Sequence, residues 1–223
     1  MANSRKRLTD KANHILEAAL KVFGEKGYYD ATISDIAKEA RVSEATLYEY
    51  FAGKEDILFS IPAKLTREGI ELSDKIDPYI KGAENRLRAL VYGYFYLYRD
   101  NPNYSRLVLL DLKHNRKFLE TEAYQLVRRA AGNLLAVIRE GMKSGEFRAD
   151  LDPYLVRSML LGTIEHIFFR WHLLDRQVEL VDFVDPMLEM LLAGIRKKEE
   201  PSSIVVKMVD ARNNSNNKGK GTA

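Results

Sequence analysis

Cysteine is absent from all 223 residues. That excludes a disulfide scaffold and any thiolate metal or nucleophile site, and it fits a reducing cytoplasm. Long apolar runs are absent too. None reaches the roughly 18 residues of a membrane span, so no membrane partner is expected. The start, MANSRKRLTDKANHILEAAL, is basic but has no uninterrupted apolar stretch and no small-residue cleavage site, which argues against a signal peptide. A strong charge of one sign is also missing. The net charge is +3; residues 1–60 hold 9 Lys/Arg against 10 Asp/Glu, residues 61–195 hold 19 of each, and residues 196–223 hold 7 against 3. The positive excess belongs to the C-terminal end. Any nucleic-acid contact must therefore rest on a few placed side chains rather than on a basic domain.

What the chain does have is 46% hydrophobic residues, set at helical spacing between Gly and Pro breaks. Residues 10–26 place Ile15, Ala18, Ala19, Val22 and Phe23 on one face, and Gly27 ends that helix. Thr32 is an N-cap before Ile33, Ile36, Ala37 and Ala40, with Asp35 at the capping-box position. After a break at Arg41-Val42, Ser43 caps a second short helix around Leu47. A longer helix runs from Lys54 to about Asp77, and Pro62 should bend it or start it afresh. Further helices are expected over 84–99, 103–114 and 118–143, from Pro153 to about Leu174, and over 178–197. No segment alternates as a strand does. The expectation is an all-α chain of about nine helices, followed by a polar tail of low complexity.

The informative stretch is TISDIAKEARVSEATLYEYFAGKED, residues 32–56. Two short capped helices meet across a tight turn, which is the helix-turn-helix plan. Such a pair can push the first residues of its second helix into a major groove about 12 Å wide. Ile33, Ile36, Ala37, Ala40, Val42, Leu47 and Phe51 would hold the pair together. Ser43, Glu44, Ala45, Thr46, Glu49 and Tyr50 would line the start and outer side of the second helix. Arg5, Lys6 and Arg7 precede the first expected helix and could form a basic arm.

This stretch closely resembles the signature of the TetR family: a Thr-capped helix, Val-Ser, Thr-Leu-Tyr, an aromatic before Phe, then Lys-Glu. The preceding ILEAALKVFGEKGYYDAT also matches. The resemblance implies a DNA-binding domain over 1–53, a ligand-binding and dimerisation domain over 54–198 and a disordered basic tail over 199–223. It implies that Thr32, Ser43, Tyr48 and Lys54 contact phosphates of a double-stranded operator, and that Glu44, Ala45, Thr46, Glu49 and Tyr50 face bases or the groove wall. Arg41 and Ala45 depart from the pattern, since glycine often stands at both positions.

The later helices suit a ligand pocket and a homodimer face. Val184, Leu188, Leu191 and Ile195 recur at 4, 3 and 4 residues. Met159, Leu160, Thr163, Ile164, Ile167, Phe168, Trp171 and Leu174 cover more than one side of their helix, which then needs two partners. YGYFYLYRD carries Tyr92, Tyr94, Phe95, Tyr96 and Tyr98 all round a helix, as a cavity wall can. LLDLKHNRKF, MKSGEFRADLDPYLVRSMLLGTIEHIFFRWHLLD and LVDFVDPMLEMLLAGI resemble the fatty-acyl-CoA-responsive TetR repressors. That likeness implies a small hydrophobic effector, a fatty acyl-CoA, with its chain among Tyr92, Phe95, Tyr96, Leu109, Ile164, Phe168 and Trp171. Lys113, Arg116, Lys117 and Arg170 would then face its phosphates. A multidrug-type sensor on the same DNA-binding half is the alternative.

Catalytic chemistry finds little support. Asp111 and His114 share a helix face but are too few to hold a metal alone. Glu165-His166 and His172 come with no nucleophile motif, and there is no phosphate loop. No metal, cofactor or catalytic residue is expected, and an enzyme is the rival reading.

Overall fold

The computed structural model describes residues 2–113, 115–174 and 178–197, with side chains from Asp10 onward. His114 and the 199–223 tail lie outside the described residues. Helix α1, Ala2–Lys26, stops at Gly27, whose φ of 79° is left-handed and whose N–H donates to the Phe23 carbonyl at 2.9 Å. It begins eight residues before the apolar pattern does, because no Gly or Pro interrupts the polar turns ahead of it. Arg5, Lys6 and Arg7 therefore belong to the helical backbone and do not precede it as an arm.

Helices α2, Ile33–Glu39, and α3, Glu44–Tyr48, are joined by a turn in which Arg41 takes a left-handed φ of 53°. That conformation explains why glycine suits this position. Helix α4, Lys54–Ile76, runs through Pro62 without restarting, with the ring buried in the core. Helix α5, Ala83–Asp100, follows Gly82. The Glu146 carboxylate caps it, accepting from the N–H groups of Ala83 and Glu84 at 3.0 and 3.1 Å.

Three expected helices are redrawn. The 103–114 segment is a short α6, Pro102–Arg106, that passes into a wider π-helical turn, Leu107–Leu112. The next helix does not begin at residue 118: Phe118–Glu120 is a 3-10 turn, and Thr121 caps α7, Glu122–Ser144, by accepting from the Tyr124 N–H at 3.1 Å. Helix α8, Pro153–Leu174, starts as expected, with the Asp152 carboxylate accepting from the Tyr154 N–H at 2.8 Å. The last helix, α9, Val184–Ile195, is shorter than expected because Leu180–Phe183 forms a 3-10 turn before it.

One continuous apolar cluster runs from Ile15 through Leu47, Ile57, Leu87, Phe95, Ile138 and Phe168 to Ile195. Helix α1 packs on α2, α4 and α6, and α7 packs on α4, α5 and α8. The helix-turn-helix and the larger bundle thus share one core, with α4 common to both. No helix among the described residues is long and apolar enough to cross a membrane.

Candidate functional site

The reading head is built from its caps. The Thr32 hydroxyl accepts from the Asp35 N–H at 3.1 Å, while the Asp35 carboxylate accepts from the Thr32 N–H at 3.0 Å and its hydroxyl at 2.8 Å. Lys26 donates to the same carboxylate at 2.6 Å. That ammonium, then the Thr32 hydroxyl and N–H, hold the Asp35 carboxyl down at about 2. Ser43 caps α3, accepting from the Thr46 N–H at 3.1 Å, and its hydroxyl lies 3.0 Å from that of Thr46. Buried Leu47 and Phe51 hold the short helix down. Ser43, Glu44, Ala45, Tyr48 and Glu49 are exposed together, with Thr46 and Tyr50 half-buried beside them. The expected contact residues of α3 therefore share one outward surface, and Tyr48 is 55% exposed, as a groove or phosphate contact requires.

Lys54 is placed differently. Its ammonium donates to the carbonyls of Tyr28, Tyr29 and Ala31 at 2.8, 3.2 and 2.8 Å and sits 4.6 Å from the centre of the Tyr28 ring. All three protons of the ammonium are thereby committed to the α1–α2 loop. In this geometry Lys54 ties the start of α4 to the loop that positions Thr32.

The expected effector-lining residues divide into two groups. Phe95, Leu109, Ile164 and Phe168 are buried, with Phe95 and Phe168 ring centres 5.3 Å apart and Trp171 6.3 Å from Phe168. Tyr92 and Tyr96 stand on the outer side of α5. The Tyr92 hydroxyl donates to Asp185 at 2.9 Å, and Arg99 covers the Tyr96 ring at 4.7 Å. The structure does not bring these two to the interior. Of the expected phosphate-facing cations, Lys113 is paired with Glu165 on α8 and Lys117 with Glu55 on α4 at 3.1 Å. Arg116 and Arg170 are exposed.

Sequence reasoning missed the seam between head and bundle. A cavity of about 140 Å³ lies there, lined by Phe23, Tyr28 and Asp30 on one side and by Asn103, Arg106 and Asp111 on the other. Burial pushes the Asp111 carboxyl up, and Arg106 opposes this. Asp111 lies within the π-helical turn, and the sequence carries no marker for that wider turn.

The helix read as needing two partners, α8, keeps one apolar side free. Leu155, Met159, Gly162, His166, Phe169 and Leu173 recur at 4, 3, 4, 3 and 4 residues, and all are exposed. Met190 of α9 is 78% exposed, whereas Leu188 is fully buried within the same chain. The side of α9 expected to meet a second subunit is thus turned inward at Leu188, and the free side passes through Met190.

A family model described as bacterial regulatory proteins, tetR family, matches residues 15–61, and one described as YsiA-like protein, C-terminal region, matches residues 69–194. The fatty acid metabolism regulator protein of Bacillus subtilis (strain 168) is 31% identical over 193 residues, 86% of this chain and 100% of that protein. The solved structure of FadR from Bacillus subtilis in complex with stearoyl-CoA superposes with a TM-score of 0.76 at 30% identity, covering 82% of this chain and 98% of that one. FadR from Bacillus halodurans gives a TM-score of 0.76 at 28% identity, covering 84% and 97%. The chain belongs to the TetR family of bacterial regulatory proteins. It is a transcriptional regulator with an N-terminal helix-turn-helix and a helical C-terminal region of the YsiA type.

Proposed function

We propose that this regulator binds a near-palindromic operator as a homodimer in the bacterial cytoplasm and is released from it by a long-chain fatty acyl-CoA. It carries out no catalysis. Residues 1–53 read the DNA and 54–198 bind the effector and dimerise. The observation that carries this reading is the likeness, over 82% of this chain, to a regulator solved with stearoyl-CoA, together with a buried apolar wall at Phe95, Leu109, Ile164 and Phe168 in the C-terminal bundle.

In the DNA complex, Thr32, Ser43 and Tyr48 meet phosphates, and Glu44, Ala45, Thr46, Glu49 and Tyr50 enter or flank the groove. Lys54 supports them by fixing the loop. The exposed stripe of α8 and Met190 of α9 meet their copies across a two-fold axis in a four-helix bundle. That pairing sets two α3 helices about one turn of DNA apart, or slightly more.

The acyl chain lies against Phe95, Leu109, Ile164, Phe168 and Trp171. Its coenzyme phosphates draw on Arg116 and Arg170, and on Lys113 and Lys117 as these exchange their carboxylate partners. Effector binding selects a form whose reading heads no longer match the operator spacing. The test is to titrate operator-bound protein with saturated acyl-CoAs of increasing length. Each buried methylene contributes about 0.8 kcal/mol, so release should strengthen with length until the site is full. No release at any length, or equal release by short and long chains, would overturn this reading.

A further inference from the structure

The interior wall shared by α5, α6 and α8 is not wholly hydrocarbon. Tyr98 and Tyr104 are buried, at 7% and 4% exposure, and Tyr94 is half-buried beside them. The rings meet edge to face, Tyr94 on Tyr98 at 6.5 Å and Tyr98 on Tyr104 at 6.0 Å. Tyr98 also meets Phe168 at 5.2 Å, and Phe168 meets Phe95 at 5.3 Å. Tyr98 therefore adjoins the aromatic pair that the proposed function gives to the acyl chain, and Tyr94 and Tyr104 flank it.

Burial pushes the Tyr104 phenol up, and Thr66 of α4 opposes this. The hydroxyls of Tyr94 and Tyr98 have no hydrogen-bond partner among the described residues. Yet no fully sealed side-chain oxygen among those residues lacks a partner. Neither of the two hydroxyls is therefore fully sealed by packed protein. Burial raises Tyr94 to about 12 and Tyr98 well above the ordinary tyrosine range, and the Glu165 carboxylate on the neighbouring helix pushes both further up. Both phenols keep their protons at neutral pH and stand as donors with no acceptor among the described residues.

We propose that the effector's acyl portion carries an oxygen, as a hydroxyl or oxo group within the chain, that accepts a hydrogen bond from Tyr98 with Tyr94 beside it. Oxygenated long-chain acyl thioesters then bind in preference to saturated chains of equal length. This rests on the acyl-thioester reading and narrows it. A plain methylene chain leaves both hydroxyls facing hydrocarbon, and a site with unpaired donors discriminates against the ligand that cannot pair them. One matched hydrogen bond of this kind is worth roughly five- to tenfold in affinity.

The test is calorimetric titration of the full chain with stearoyl-CoA and with hydroxy- and oxo-stearoyl-CoAs whose oxygen is walked along the chain. The wild type should bind one or two adjacent positional isomers roughly five- to tenfold more tightly than stearoyl-CoA. Tyr98→Phe should erase that preference while leaving stearoyl-CoA affinity equal or higher. If stearoyl-CoA binds at least as tightly as every isomer, or if Tyr98→Phe keeps the preference, the proposal is overturned and the broader reading stands. If no thioester binds, both fall. Should Tyr98→Phe fail to fold, the wild-type series still decides, and Tyr94→Phe should weaken the preference in part.

Discussion

Asn103 lies so close over Gly24 that a Cβ on the glycine would sit 2.2 Å from the Asn103 Cγ. This joins α6 of the bundle to α1 of the reading head, beside the seam cavity, and only a residue without a side chain permits it. Gly24→Ala must push α6 away or force the carboxamide into a new rotamer. Overpacking of this kind costs about 1–3 kcal/mol, and alanine inside α1 regains up to about 1 kcal/mol over glycine, so a net loss of about 1 kcal/mol is expected. The double variant Gly24→Ala/Asn103→Ala should recover most of that loss, because the obstructing atoms are gone. Urea melts of the two variants decide it. A double variant no more stable than Gly24→Ala would place the strain elsewhere.

Lys54 supplies the second prediction. Its ammonium satisfies three loop carbonyls, so Lys54→Met should destabilise the protein by about 2 kcal/mol, in the range for hydrogen bonds to a charged group. Operator affinity should fall because the Thr32 cap loses its support. The salt dependence of binding separates this role from a direct phosphate contact. A neutralised phosphate contributes about 0.9 to the slope of log K against log salt, so a structural Lys54 predicts an unchanged slope in the variant. A slope reduced by about that amount per protomer would return Lys54 to the DNA surface.

The caps of the reading head were legible in the sequence because a cap is a local device. Thr32 with Asp35, and Ser43 with Thr46, need only three residues of spacing and one hydroxyl. The sides of the bundle helices were harder to read. Helix α5 is aromatic all round, so spacing alone could not say that Phe95 and Tyr98 turn inward while Tyr92 and Tyr96 turn out. Helix α9 gave the same difficulty, with Leu188 and Met190 both apolar and 100° per residue the only guide. The π-helical turn was illegible for a different reason. It continues α6, which packs on α1, α5 and α8, and Leu107–Leu112 itself carries no residue that marks it.

Asp35 makes the head sensitive to acid. Its carboxyl titrates near 2 in the folded protein against an ordinary 3.8, chiefly because Lys26 and then Thr32 hold the charged form. A folded value below the unfolded one gives stability that is present above the unfolded value and is lost as pH falls through the folded value. The contribution should therefore fade between about pH 4 and pH 2. Asp35→Asn should be less stable than the wild type at pH 6, and the difference should shrink towards pH 2 in a series of thermal melts. A difference independent of pH over that range would mean the charge of Asp35 is not what stabilises the cap.

The last prediction separates the outer face of the bundle from its core. Leu173 is 58% exposed and Met190 78% exposed, whereas Leu188 of α9 is fully buried. The stripe from Leu155 to Leu173 is about 27 Å long at 1.5 Å per residue, enough to line a helix-pair interface. In the proposed homodimer a charge placed on that stripe would meet its own copy across the two-fold axis and be buried unpaired. Leu173→Asp and Met190→Asp should therefore yield folded monomers, with helical content retained and operator affinity lost. Leu188→Asp should instead unfold the chain, since even truncation of a buried leucine costs about 2–5 kcal/mol. Sedimentation velocity at micromolar concentration, read beside circular dichroism, tests both halves. Dimers that survive Leu173→Asp and Met190→Asp together would show that the copies meet through another face.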